Sequence, residues 1–154
     1  MKKVAIVVTT HADKENLSDD DRVSLYRMLD LFRGVFDTFV VSPVGMNVSE
    51  YLNAGIDHVV ELEGSNFGSI ERYNRMMLKP SFYEKFSDYE YILIHHLDAY
   101  IFGGDLESWC DAGYDYIGAP WRKPSIGRFW LRYLFANCRF RVCLLYTSPS
   151  PRDA

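Results

Sequence analysis

The stretch from Tyr91 to Phe102, YILIHHLDAYIF, is the most apolar run of the 154-residue chain and decides the fold. A run of this kind predicts a strand that is buried on both faces at the centre of a parallel sheet. Because side chains alternate along a strand, His96 and Asp98 share one side, and His95 and Leu97 share the other. We therefore predict that this stretch is the central strand and that Asp98 is a buried carboxylate near its carboxyl end.

Strand and helix patterns alternate on both sides of this central stretch. Apolar runs predict strands at 4–9, 38–42, 58–62 and 114–118, and helical spacing predicts helices at 49–53, 70–78, 106–111 and 126–134. A first helix is predicted after Ser18, whose side chain and following acids favour a helix start. Its apolar stripe is predicted to consist of Val23, Tyr26, Leu29 and Phe32. The alternation predicts a three-layer α/β domain with a mostly parallel sheet.

Length and composition point to one ordinary globular domain. Hydrophobic residues make up 48% and charged residues 25% of the chain, and no run approaches the roughly 20 apolar residues of a membrane span. The start, Met1 to Val8, is too short for the apolar core of a signal peptide, so we expect a cytoplasmic protein. The three cysteines, Cys110, Cys138 and Cys143, have no metal-type spacing.

The charge is unevenly distributed along the chain. The net charge is −4, but residues 122–141 contain six basic residues and no acidic ones, whereas residues 1–121 carry ten basic and twenty acidic residues. The basic segment could bind phosphates or contact a membrane surface peripherally, or it could be a solvent-exposed helix face. A nucleic-acid partner is not favoured, because the chain is acidic overall.

The last twelve residues, 143–154, read CLLYTSPSPRDA. This string resembles the translation of a sequencing-library adaptor, which predicts a disordered, non-native tail and a domain of residues 1–142 that is truncated at its C-terminus. The alternative is a natural tail rich in serine and proline. A truncated domain would lack whatever followed Val142, and we would expect such a fragment to be inactive.

Asp98 is the residue with the clearest chemical meaning. A carboxylate in an apolar strand is costly unless it is paired, hydrogen-bonded or bound to a metal. Ligands of open parallel sheets bind at the carboxyl ends of the strands, where Asp98 could hold Mn²⁺ or Mg²⁺ against a diphosphate. The equal alternative is a buried aspartate that binds a backbone N–H.

Several ordered motifs carry a family resemblance. They are Tyr73 to Leu78, Phe82 to Phe86, Tyr89 to Ile94 with Leu97 to Tyr100, Trp109-Cys110 and Tyr114 to Trp121. Together they resemble an uncharacterised bacterial family, a domain of unknown function that is similar to nucleotide-sugar glycosyltransferases of the GT-A type. The resemblance implies a Rossmann-like GT-A nucleotide-binding half.

The resemblance also implies roles for individual residues. GT-A enzymes carry Asp-x-Asp after a central strand. The matching residues here are His96-Leu97-Asp98, which leaves Asp98 as the metal ligand and His96 as a contact to ribose or metal. Thr9, Thr10 and His11 would meet the nucleobase and ribose, and Asn74 or Arg75 would touch the base or pyrophosphate if it faces the cleft. Gly118 and Trp121 would accept a sugar ring, although Trp121 could instead be a core residue.

Three functions remain open at this level. The favoured one is transfer of a sugar from a nucleotide-diphosphate sugar to a saccharide or surface-polymer acceptor. The others are a non-catalytic nucleotide- or sugar-binding domain of the same fold, and another α/β enzyme such as a nucleotidyltransferase. A P-loop or dinucleotide-binding function is not supported, since the first strand is followed by Thr9 to Ala12 and no glycine-rich motif occurs.

Overall fold

The computed structural model describes residues 2–10, 16–103, 105–118 and 141–144. The strands are β1 (Lys2–Thr9), β2 (Asp37–Pro43), β3 (His58–Leu62), β4 (Tyr89–His95), β5 (Tyr116–Gly118) and β6 (Arg141–Leu144). The helices are α1 (Asp19–Phe32), α2 (Ser49–Ala54), α3 (Ile70–Met77), α4 (Pro80–Tyr83) and α5 (Leu106–Asp111), with short 3-10 turns at Gly64–Asn66 and Glu84–Phe86.

The strands form one parallel sheet in the order β3-β2-β1-β4-β6-β5. The chain builds β1, β2 and β3 outward in one direction and then returns to place β4 on the other side of β1. A Rossmann-like sheet changes direction in the same way, and the predicted α/β class is therefore confirmed. The change of direction between β1 and β4 is where ligands bind in open sheets of this kind.

Helices cover both faces of the sheet and give the three predicted layers. One core, which we call the α1 face, joins even-numbered side chains of β1 to Leu25 and Met28 of α1 and to residues of α2 and α5. The other core, the α3 face, joins odd-numbered side chains of β1 to Met76 of α3 and Phe82 of α4. Residues 4–8 of β1 are all apolar and buried, as is expected for a parallel strand that is covered on both faces.

Helix α1 begins where the sequence predicted, but its buried stripe is different. Ser18 accepts a hydrogen bond from the Asp21 backbone, and Asp21 caps Ser18 in return, which is a complete capping box. The predicted stripe is wrong at Val23 and Tyr26, which are exposed. The buried residues are Ser24, Leu25, Met28, Leu29 and Phe32. A repeat of three residues drifts around a helix of 3.6 residues per turn, whereas the spacing of Leu25, Met28, Leu29 and Phe32 stays on one side.

The central strand is shorter than predicted. Strand β4 ends at His95, and a turn follows in which the Ala99 N–H donates to the His96 carbonyl at 3.0 Å. The prediction of a strand through Phe102 was wrong because side chains of α1 bind the carbonyl groups of residues 99, 101 and 102. Those carbonyls therefore have partners without a neighbouring strand.

The last described residues, 141–144, form a strand. Strand β6 lies between β4 and β5 and includes Cys143 and Leu144. The boundary at residue 143 and the non-native, disordered tail stay predictions. The run Val142 to Leu144 is apolar, and its backbone can pair whatever the origin of the sequence. Residues 145–154 and the helix predicted at 126–134 lie outside the described residues, as does all but the last residue of the basic segment 122–141. Among the helices that are described, none has the length and apolar character needed to cross a membrane.

Candidate functional site

The carboxyl ends of β1 and β4 define the candidate crevice. Strands β1 and β4 pair in parallel, with Val8 opposite His95. Thr9 and Thr10 therefore leave β1 beside the point where His95 and His96 leave β4. The topology brings the pair Thr9–Thr10 next to the pair His95–His96, which follows it by at least 85 positions in the sequence. The two pairs meet at the place where the sheet order reverses.

Thr9 and Thr10 are both buried at this edge. The Thr10 N–H and hydroxyl both donate to the carbonyl of Val41 on β2, at 2.9 and 3.1 Å. Thr10 thus ties β1 to β2, and its hydroxyl hydrogen is already used within the fold. No described residue bonds the hydroxyl of Thr9. The predicted contact of both residues with a base or ribose stays a prediction, and His11 lies outside the described residues.

The two adjacent histidines point to opposite faces, as their alternation predicted. His95 is almost completely buried on the α1 face, where its Nε2 lies 3.3 Å from the Ser24 hydroxyl. Because that hydroxyl donates to the Ala99 carbonyl, it accepts from His95, which makes Nε2 the protonated ring nitrogen. Burial, with help from the neighbouring His96, lowers the pKa of His95 from 6.5 to about 4.

His96 faces α3 and is half-buried. Its Nε2 lies 3.0 Å from the hydroxyl of Tyr73, and the two rings meet edge to face with centroids 5.4 Å apart. This pair attaches α3 to the carboxyl end of β4. The contact fixes the orientation of the imidazole, which is the condition for a histidine to make a directed hydrogen bond to a ligand.

Asp98 is exposed, so the prediction of a buried aspartate was wrong. It lies in the turn after β4, between Leu97 and Ala99, whose side chains are buried. Within the described part of the chain, the Asp98 carboxylate makes no hydrogen bond or ion pair. No described backbone N–H holds the carboxylate, as the predicted alternative would require. With respect to the described residues, the carboxylate oxygens of Asp98 are open to a ligand.

The turn that carries Asp98 is held against α1. We call residues 96–102 the clamped segment. The Ser24 hydroxyl donates to the Ala99 carbonyl, and the Arg27 guanidinium donates to the carbonyls of Ile101 and Phe102, each at 3.1 Å. Ser24 and Arg27 were not predicted from the sequence to contact this segment. A signal existed at Ser24, because it is a hydroxyl residue directly beside the apolar stripe of α1, where a polar group needs a partner.

The other predicted site residues are farther from this arrangement. Asn74 and Arg75 are exposed on α3, which packs on the sheet through Tyr73, Met76 and Met77. Because Arg75 lies two residues from Tyr73 on a helix of 3.6 residues per turn, it is directed away from the face that Tyr73 presents to His96. No described residue attaches either side chain to the crevice.

Gly118 ends β5 and is half-buried. A Cβ atom at this position would come within 2.6 Å of the Tyr116 hydroxyl oxygen, so the glycine accommodates a side chain of its own strand. This is a close approach of the kind glycine permits, but the neighbour is protein. A sugar contact at Gly118 stays a prediction, and Trp121 lies outside the described residues.

The donor set for a metal ion is small. The described residues contain no group of three or more His, Cys, Asp and Glu side chains that could hold an ion. Asp98 is a single exposed carboxylate with no partner among the described residues. Mg²⁺ and Mn²⁺ can bind through one or two carboxylates when substrate phosphates and water supply the remaining ligands. The residues present fit a cation that arrives with a diphosphate, and they do not form a cage that would hold one alone.

Comparison with known proteins gives one family and no characterised relative. A search of curated proteins finds no match. The family model described as "Protein of unknown function (DUF5672)" matches residues 57–141, which is more than half of the chain. The matched range contains α3, β4 and the clamped segment, whereas Thr9 and Thr10 precede it. The chain belongs to the DUF5672 family of proteins of unknown function.

Proposed function

We propose that the protein binds a nucleoside diphosphate sugar in the crevice between β1 and β4 and transfers the sugar to a saccharide or surface-polymer acceptor. The observation that carries the proposal is the carboxylate of Asp98, which is exposed and has no partner among the described residues, on a turn directly after the strand that flanks the reversal of sheet order. An exposed acid beside a nucleotide crevice would repel a diphosphate unless a cation lay between them. The proposal therefore includes Mn²⁺ or Mg²⁺.

Asp98 is the residue that would hold the cation. When bound, the cation would neutralise the charge that develops on the departing diphosphate. The clamped segment fixes the backbone on which Asp98 stands, and this limits the reorganisation needed when a donor binds. The position of His96, held by Tyr73, suits a hydrogen bond to a ribose hydroxyl.

A second candidate is a non-catalytic binding domain of the same fold. The specific observation in its favour is that His96 stands where GT-A enzymes carry the first acid of Asp-x-Asp, and its Nε2 already contacts the Tyr73 hydroxyl. Asp98 alone provides half of the expected carboxylates. This candidate predicts binding of a nucleotide sugar without release of free nucleoside diphosphate.

Calorimetry with the full chain tests the proposal. Uridine and guanosine diphosphate sugars are titrated with and without Mn²⁺, and release of free nucleoside diphosphate is measured in parallel. We expect Mn²⁺-dependent binding, and we expect Asp98→Asn to weaken it by at least about tenfold, since changes to groups that merely support metal ligands already cost that much. Asp88→Asn is the matched control, because Asp88 is an exposed acid at the amino end of the same strand.

The outcomes separate the two candidates. Binding with nucleotide release supports the transferase, whereas binding without release in the presence of oligosaccharide acceptors supports the binding domain. Absence of donor binding both with and without Mn²⁺ would contradict both candidates. Equal weakening by Asp88→Asn and Asp98→Asn would mean that the effect is one of overall charge and not of the crevice.

A further inference from the structure

The clamped segment exposes two aromatic rings next to Asp98. Burial alternates strictly along it: Leu97, Ala99 and Ile101 are buried, and Asp98, Tyr100 and Phe102 are exposed. A carboxylate in the turn and a phenol and a phenyl ring just after it are therefore exposed within five residues of one another. Phe102 is 87% exposed and Tyr100 44% exposed, and the rings meet edge to face at 5.1 Å.

The aromatic pair is held in this exposed position by the fold. Ile101, between the two rings, has its side chain in the core, and the bonds from Ser24 and Arg27 fix the carbonyls on both sides of it. Neither ring can turn inward without breaking those contacts. An aromatic side chain in water does not gain the free energy that its burial would give. Neighbouring rings that the fold holds in an exposed position therefore indicate a contact surface for a ligand.

The charged residues around the aromatic pair are mostly acidic, and the nearby Arg27 guanidinium, which binds the carbonyls of residues 101 and 102, is paired with Asp30 at 3.0 Å. Residues 96–118 contain five acidic residues and no lysine or arginine. A phosphorylated, uronic or sulfated ligand would be repelled here. Two side chains offer at most about 300–500 Å² of apolar surface, which is less than the roughly 800 Å² per partner of a stable protein interface. The size, charge and aromatic character fit a small polyhydroxylated ligand with an apolar ring face.

We propose that Tyr100 and Phe102 form a saccharide-binding surface for pyranose units without negative charge, with Asp98 as a hydrogen-bond acceptor at one end. The C–H faces of a pyranose would stack on the rings, and its hydroxyls would donate to the carboxylate. The assignment of this saccharide as the acceptor of transfer rests on the function proposed above. Saccharide binding itself does not depend on donor binding.

The test is a heteronuclear NMR titration of the full chain. The probes are cellohexaose, maltohexaose and chitohexaose, which are uncharged, and hexagalacturonate, which is anionic. We expect at least one uncharged oligosaccharide to shift the amides of residues 98–102, and Phe102→Ala to weaken its binding by at least about fivefold, given the energy of aromatic stacking. Ile70→Ala is the control, because Ile70 is another highly exposed apolar residue and lies on α3.

Four results would overturn the saccharide surface. They are no amide shift with any uncharged probe, unchanged affinity in Phe102→Ala, equal weakening by Ile70→Ala, and binding of hexagalacturonate as tight as that of the uncharged probes. Titration of the same samples with donor and Mn²⁺ keeps the two proposals apart. Saccharide binding without donor binding would refute the proposed function but not this surface, and donor binding without saccharide binding would refute this surface only.

Discussion

The buried His95 predicts how the stability of the protein depends on pH. Its ring is 1% exposed and donates to Ser24, and burial lowers its pKa from 6.5 to about 4. In the unfolded chain the imidazole is hydrated and takes up a proton near its ordinary pKa. The folded and unfolded states therefore bind different numbers of protons between about pH 6.5 and about pH 4.

The sign and size of the effect follow from this difference. Within the window the unfolded state binds more protons, so the free energy of unfolding falls as the pH falls. The contribution of His95 is fully present above the unfolded pKa of 6.5 and is lost toward the folded pKa of about 4. Each unit of pKa shift corresponds to about 1.4 kcal/mol, so His95 alone should cost about 2 kcal/mol between about pH 7.5 and about pH 5.

The assay is urea denaturation of the wild type and His95→Gln across this pH range. Glutamine keeps an N–H donor for Ser24 but does not titrate, so we expect its free energy of unfolding to fall by about 2 kcal/mol less than that of the wild type. Raising the salt to about 0.5 M should leave this difference nearly unchanged, because burial and not long-range charge is its main cause. Parallel pH profiles for the two proteins would refute the reasoning.

Three further predictions concern contacts that stabilise the scaffold. Thr38→Val removes a buried hydroxyl that bonds both the carboxylate and the N–H of Asp57, and we expect urea denaturation to show a loss of about 1–3 kcal/mol; an unchanged midpoint would contradict this. Ser18→Ala removes the cap of α1 and should lower the free energy of unfolding in the same assay by about 1 kcal/mol. Arg27→Met removes the hydrogen bonds to the carbonyls of residues 101 and 102. Amide hydrogen exchange should then become faster in residues 99–103. Exchange at the wild-type rate in these residues would show that Arg27 does not hold the clamped segment.

Much of the fold could be predicted from the sequence because the relevant signals are local. The apolar run of β1 and the capping box at Ser18 each depend on residues within one element. The alternation of strands and helices was sufficient for a three-layer parallel sheet. The errors occurred where a local pattern had two solutions, as at Val23 and Tyr26, which continue a repeat of three but lie outside the buried stripe.

The candidate site could be predicted only in part. The sequence indicated Asp98 as chemically important and placed His95 and His96 on opposite sides. It gave the wrong environment for Asp98, because the end of β4 is set by Ser24 and Arg27, more than 70 positions away. Hydrogen bonds between such distant residues leave no periodic trace in the chain.

The sequence by itself determined most of the described strands and helices, since backbone hydrogen bonding and hydrophobic periodicity act over a few residues. It did not determine the end of β4 or the presence of β6. Only the tertiary structure decided the order of the strands, the reversal between β1 and β4, and the outward direction of Asp98, Tyr100 and Phe102. The physical reason is that an apolar stretch can satisfy its carbonyl groups either in a strand ladder or through side chains of a neighbouring helix. Which of the two occurs depends on what packs beside it.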